Sequence, residues 1–173
     1  MSLRVVRGVD LPAENRATVL QLCSRAYDFD FEPLFRTFHD ATHILGYCDG
    51  MLVSHALWVT RWLQCNDRSP MRTAYVEAVA TAEAYRGRGF ASAVMEELAS
   101  AIADFDVAAL SPARYGLYLR LSWQLWRGPL FIRTDDGPRS TPDGEVMVLR
   151  LPQTPSLELD APLSAEWREG ELW

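Results

Sequence analysis

The sequence predicts an α/β (α+β) protein built on a mixed β-sheet, and two observations carry this expectation. Asp49-Gly50 separates two apolar segments, and that dipeptide is a strong short hairpin signal because both central residues of a type I′ turn need positive φ. From Met71 to Ser122 the pattern changes to strand, helix, strand, helix. Meandering strands followed by alternating elements give a mixed sheet.

Leu3–Val6 is a short apolar run closed by Arg7-Gly8, a first strand. Asp10-Leu11-Pro12-Ala13-Glu14 carries a capping carboxylate, an early proline and an acidic first turn, so a helix is expected from there to about Ala26. Its face is marked by Ala17, Leu20, Cys23 and Tyr27. Asp28–Pro33 alternates acids and aromatics and reads as a loop or broken helix.

Thr42–Cys48, Met51–Leu63 and Met71–Ala80 are the next strands, with a turn at Asn66–Pro70. Phe90, Val94, Leu98 and Ile102 mark one face of an amphipathic helix. Ala108–Ser111 is a short strand, Ala113–Leu121 a helix, and Trp126–Ile132 and Glu145–Leu151 are late strands around a turn-rich loop at Asp135–Pro138. Pro152–Trp173 shows no period.

A chain of 173 residues fits one domain, residues 1–173. Seventeen basic against 23 acidic side chains give a net charge of −6. That balance argues against nucleic acid as a partner and favours a cationic small molecule. Apolar stretches fall far short of the roughly 20 residues that span a bilayer, so no membrane association is expected. Cys23, Cys48 and Cys65 suit neither a disulfide framework nor a zinc site. Without a signal core, a cytoplasmic protein is the expectation. His39, His43 and His55 match no metal motif, so packing or surface roles and no metal are expected. Trp58, Trp62, Trp123 and Trp126 are read as core or interface residues.

Tyr85-Arg86-Gly87-Arg88-Gly89-Phe90-Ala91 follows a strand and opens a helix. Successive N–H groups at a helix N-terminus, glycines and two arginines suit a pyrophosphate, although a solvated glycine turn has the same composition. The segment is neither a Walker A loop nor a dinucleotide fingerprint. Arg86-x-x-Gly89-x-Ala91 in this setting resembles the acyl-CoA loop of the GNAT superfamily of N-acetyltransferases. Tyr75–Ala80, Ala109–Ser111, Trp126–Pro129, Thr141–Asp143 and the ending Trp167–Trp173 are similar to segments of the aminoglycoside 2′-N-acetyltransferases.

The resemblance implies a GNAT fold, its central mixed sheet splayed between two parallel strands and flanked by helices. It implies acetyl-CoA as cosubstrate and an aminoglycoside as acceptor, with the tail 152–173 docking near the active site. Glu77 matches a base and substrate contact, expected on the strand face shared with Tyr75 and Val79. Tyr118 matches an acid near the thioester sulfur. The backbone at Val79 and Thr81 would hold the pantetheine arm, with the Val79 N–H polarising the thioester carbonyl. Arg86, Gly87, Arg88, Gly89, Phe90 and Ala91 would hold the pyrophosphate.

Asp30, Ser111, Asp143, Glu171 and Trp173 match substrate contacts, Trp173 through its terminal carboxylate. Glu32 is a candidate second carboxylate of the N-terminal loop, and Glu171 stands where an aspartate is expected. Ser122 stands where the family usually has glycine, which puts the helix end in question. Trp167 and Trp173 argue for a docked tail. The family commonly dimerises, so a homodimer is admissible. Acetylation of another small amine, such as a polyamine or amino sugar, and a catalytically silent acyl-CoA sensor remain the rival readings.

Overall fold

The computed structural model describes residues 1–173. Backbone contacts divide it into two compact units, Met1–Val59 with Val76–Ala101 and Thr60–Tyr75 with Ile102–Trp173.

In the first unit, β1 (Ser2–Arg7) pairs antiparallel with β2 (Thr42–Cys48), and β2 with β3 (Met51–Cys65). Asp49 and Gly50 both take positive φ, 50° and 79°, so the hairpin turn is the one their identities predict. β4 (Met71–Thr81) brings its second half beside β3, where Ala82 N–H donates to Val53 O at 2.8 Å. Helix α1 (Ala13–Tyr27) lies on the sheet face of His55, which its Cys23 touches. Helix α3 (Phe90–Ala101) lies on the other face, its Val94 against Gly46. A sheet covered on both faces explains why β2 and β3 read as near-continuous apolar runs.

The start of α1 corrects one expectation. Pro12 is the N-terminal flanking residue, and Asp10 sits in a preceding 3-10 turn, paired with Arg7 at 2.7 Å. Asp28–Pro33 runs from the left-handed residue that ends α1 into a short helix α2 (Glu32–Phe35), which has its proline in the first turn. Phe31, 1% exposed, anchors it among Tyr27, Phe29, Phe35 and Phe38 at ring separations of 5.1 to 6.5 Å.

In the second unit, β4 pairs parallel with β5 (Val107–Leu110) from Thr73 to Tyr75 only. β5 pairs with β9 (Met147–Arg150), and β9 with β6 (Gln124–Leu125), both antiparallel. Helix α4 runs only over Gly116–Arg120, shorter than the expected Ala113–Leu121. Of the expected strand Trp126–Ile132 only the end is strand, as the start of β7 (Leu130–Thr134), and β6 stops before it at Leu125. Between them, Gly128 passes so close to Ala161 that a Cβ would stand 1.9 Å from the Ala161 carbonyl oxygen. Asp135–Pro138 is the turn of a hairpin into β8 (Gly137–Ser140), where Pro138 is tolerated on an edge strand.

The tail supplies a strand that periodicity does not reveal. β10 (Leu163–Glu166) lies parallel to β7 and antiparallel to the end of β3. The sheet is thus mixed and flanked by helices, as the sequence predicts.

Ser122 does adopt the left-handed conformation, φ 67°, and Trp123 N–H closes the helix end onto Tyr118 O at 3.0 Å. A serine there carries strain that glycine lacks. Ser122→Gly is therefore expected to stabilise the protein by about 1 kcal/mol. Thermal unfolding checks this, with a rise of about 2–4 °C expected; an unchanged or lower midpoint would show that the turn is not strained.

Candidate active site

The residues singled out in the sequence fall in both units. Asp30, Glu77, Val79, Thr81 and residues 86–91 belong to the first. Ser111, Tyr118, Asp143, Glu171 and Trp173 belong to the second.

In the first unit, β4 is broken at Ala78, whose φ of 53° is left-handed inside a strand. For a buried alanine that conformation costs roughly 1–2 kcal/mol. It also interrupts the alternation that was expected to put Tyr75, Glu77 and Val79 on one face. Tyr75 is fully buried, whereas Glu77 and Val79 are half-buried. Beyond the bulge, Val79 O accepts the Tyr27 hydroxyl at 3.2 Å. The Thr81 hydroxyl meets Ser54 Oγ at 2.8 Å, and Ser54 also donates to Ala80 O. Sequence reasoning missed Tyr27 and Ser54 because tertiary contact alone gives them a place beside this strand.

The loop at 86–89 has Gly87 and Gly89 at φ 73° and 84°, with open space where each Cβ would project. Arg86 Nε donates to Thr81 O at 3.2 Å, tying the loop to the strand end. The Arg88 guanidinium lies 5.0 Å from the Tyr85 ring centre and 5.7 Å from that of Phe90. Phe90 is buried and Ala91 half-buried as α3 begins. First-turn N–H groups of a twelve-residue helix, unhindered glycines and exposed guanidinium groups are a donor set that fits a pyrophosphate.

Asp30 is exposed, and its Oδ1 accepts Glu32 N–H at 3.1 Å. Glu32 is engaged differently from the expectation. Arg36 and Arg16 bind its carboxylate at 3.1 and 3.3 Å and hold its carboxyl below the usual range, so it is committed to cations of its own unit.

In the second unit, Ser111, Asp143, Glu171 and Trp173 come together in a pocket of about 530 Å³ that Glu145 and Arg139 also line. Three carboxylates against one guanidinium make it anionic. Trp173 forms part of its wall: the ring is 8% exposed and its Nε1–H donates to Thr141 Oγ1 at 2.7 Å. Trp167, by contrast, is 60% exposed, and its backbone N–H donates to Arg133 O. A larger pocket, about 670 Å³ and lined by Arg127, Arg150 and Asp160, holds none of the expected residues.

Arg61 fastens the tail from beneath. It is 1% exposed, donating to Leu172 O at 2.6 Å and Glu166 O at 2.7 Å. The guanidinium groups of Arg61 and Arg168 both lie over the Tyr75 ring, at 4.9 and 5.2 Å from its centre. Tyr118 packs edge-on against Trp123, and burial pushes its hydroxyl up to about 12. It is protonated at neutral pH, as a tyrosine would be without that shift. Tyr115 is occupied by a hydrogen bond to Glu145.

Residues 11–126, more than half of the chain, match the family described as acetyltransferase (GNAT) domain. The chain belongs to the GNAT acetyltransferase family. This acetyltransferase is 32% identical, over 98% of its own length and 91% of the relative's, to an aminoglycoside 2′-N-acetyltransferase of Mycolicibacterium fortuitum. Among solved structures, the GNAT protein YhbS of Escherichia coli in complex with CoA superposes with a TM-score of 0.64 at 16% identity, covering 97% of this chain and 89% of that one. A probable N-acyltransferase of Enterococcus faecalis gives 0.58 at 20% identity, covering 76% of this chain. The acetyltransferase spans about a third of that larger protein, 33%. The family makes an acyl-CoA its cosubstrate, and the loop at 86–91 has the donor set for it. No group of three or more His, Cys, Asp or Glu side chains is arranged to hold a metal ion.

Proposed function

We propose that this acetyltransferase moves the acetyl group of acetyl-CoA onto the 2′-amine of an aminoglycoside, by direct attack with both substrates held at once. The observation that carries the acceptor is the anionic pocket of Asp143, Glu145 and Glu171. A polycation needs several separate carboxylates, and this pocket offers three. The 32% identity to a named aminoglycoside 2′-N-acetyltransferase supports the same reading.

Acetyl-CoA, when bound, supplies an activated acyl carbon and a thiolate leaving group. The residue roles are those the family resemblance implies, and the chemistry of an amine that arrives protonated gives each its task. Glu77 takes the ammonium proton, directly or through water, so that the nitrogen has a free electron pair. Val79 N–H donates to the carbonyl oxygen as negative charge builds there. Tyr118, protonated at neutral pH like any tyrosine, donates toward the departing sulfur. Arg86, Gly87, Arg88, Gly89, Phe90 and Ala91 bind the pyrophosphate, and Val79 and Thr81 align the pantetheine arm through their backbone. Asp30, Ser111, Asp143, Glu171 and Trp173 bind the acceptor, and the tail contributes to its site. No nucleophile backed by a base and an orienting group was found in the sequence, which supports transfer without an acyl-enzyme.

Acetylation converts one ammonium of the antibiotic into a neutral amide, so the biological result would be resistance. The reading is tested by incubating the protein with acetyl-CoA and tobramycin and locating the new acetyl group by NMR. Acetylation at the 2′-nitrogen is expected; a product acetylated elsewhere would overturn the regiochemistry.

A further inference from the structure

His43 and His55 are buried, 2% and 0% exposed, and no step above uses them. They sit on neighbouring strands, β2 and β3, on the face covered by α1. In the register His43 lies opposite Leu57, which makes His55 its diagonal neighbour. His43 Nδ1 is 2.9 Å from His55 Nε2, and His55 Nδ1 is 2.9 Å from Ala78 O. Ala78 is the residue held in the left-handed conformation inside β4.

The direction of this chain of bonds follows from its end. A carbonyl oxygen only accepts, so His55 Nδ1 carries the proton. Burial lowers the two imidazoles to about 4 and about 3, so both are neutral at pH 7 and each carries one proton. His55 Nε2 is then an acceptor, and His43 Nδ1–H donates to it. Cys23 lies alongside, its sulfur 3.9 Å from His55 Nδ1 and 4.0 Å from Ala78 O. Burial pushes that thiol up to about 12, so it stays S–H and does not compete as an anion.

The bonded carbonyl is what gives the pair more than a packing role. Ala78 C=O and Val79 N–H belong to one planar peptide group. No peptide bond here is cis, so the two point in opposite directions. Fixing Ala78 O toward the His55 ring therefore aims Val79 N–H away from that ring. A hydrogen bond accepted at the oxygen also polarises the amide and makes its N–H a stronger donor.

We propose that His43 and His55 are positioning residues that hold the bulged Ala78–Val79 peptide and aim Val79 N–H at the thioester carbonyl oxygen. This rests on the reading in which Val79 N–H is that donor. Neither imidazole touches substrate; both act through the peptide.

The test uses the full chain as wild type, His55→Leu and His55→Asn. Asparagine can present an amide N–H where Nδ1–H stood; leucine cannot. His55→Leu is expected to lower kcat about 10- to 100-fold, with the KM for acetyl-CoA and the Kd for CoA within about twofold of wild type. CoA lacks the thioester carbonyl, which is why its binding serves as the control. His55→Asn is expected to restore most of kcat. In ¹⁵N-resolved NMR, the Val79 amide proton of wild type should move downfield with acetyl-CoA more than with CoA, and the difference should vanish in His55→Leu. Ring ¹⁵N shifts of wild type should show both Nδ1 atoms protonated.

A folded His55→Leu protein with wild-type kcat would overturn the relay while leaving the acetyltransferase intact. If neither variant folds, the wild-type rings decide, and an unprotonated His55 Nδ1 would overturn it. A wild-type Val79 amide that answers acetyl-CoA and CoA alike would remove its role as donor and the relay together. The same amide answering acetyl-CoA in a protein inert toward aminoglycosides would uphold the relay and reject only the proposed acceptor.

Discussion

Glu77→Gln is expected to lower turnover at neutral pH by about 10²- to 10³-fold, while leaving acetyl-CoA binding within about twofold. Glutamine keeps the size of the side chain and one acceptor oxygen, and removes its charge and its basicity. The amine arrives as an ammonium and cannot attack until it loses a proton. Cofactor binding is assigned to the backbone of β4 and to the loop at 86–91, which the substitution leaves untouched. The defect should narrow as pH rises toward the amine's own pKa, because free amine then forms without help. Steady-state kinetics from pH 6 to 9 together with calorimetry of acetyl-CoA would check both parts. Unchanged turnover at neutral pH would remove Glu77 as the base.

Arg61→Met is expected to have the largest effect on stability, about 3 kcal/mol. The ion pair with Glu166 adds little of this, since that carboxylate is about a third exposed and 3.4 Å away. The cost lies in the two carbonyls, Glu166 O and Leu172 O, which lose a charged donor at 2.7 and 2.6 Å. Methionine fills the volume without replacing either bond. For a chain of this length the midpoint of thermal unfolding should fall by about 6–12 °C. The tail should also loosen, seen as faster tryptic cleavage after Arg168 and altered Trp173 fluorescence. A fall below about 3 °C with an unaltered tail would show that Arg61 is not its anchor.

What could be read from the sequence was whatever a few adjacent residues determine. Asp49-Gly50 specifies its own turn, because two consecutive positive φ angles suit few other pairs. Gly87 and Gly89 mark their loop because each takes a positive φ. β10 was illegible because Leu163–Glu166 is too short for a period and gains its place from β3 and β7, distant in sequence. That the strand starts only at Leu130 and not at Trp126 was hidden because Gly128 is required by Ala161, thirty-three residues away. His43 and His55 gave no chemical signal along the chain. Only the β2–β3 register and the left-handed Ala78 bring them onto one peptide group. Asp143 and Glu171 could be singled out only through resemblance, since an exposed carboxylate in a loop has no local pattern.

The central claim, acetyl transfer to a 2′-amine of an aminoglycoside, is tested most directly by thiol release from acetyl-CoA with tobramycin and kanamycin A in parallel. Tobramycin carries an amine at the 2′ carbon, whereas kanamycin A carries a hydroxyl. Rapid turnover with tobramycin and little with kanamycin A is the predicted result. Equal turnover with both, or none with either in the presence of tightly bound acetyl-CoA, would contradict it.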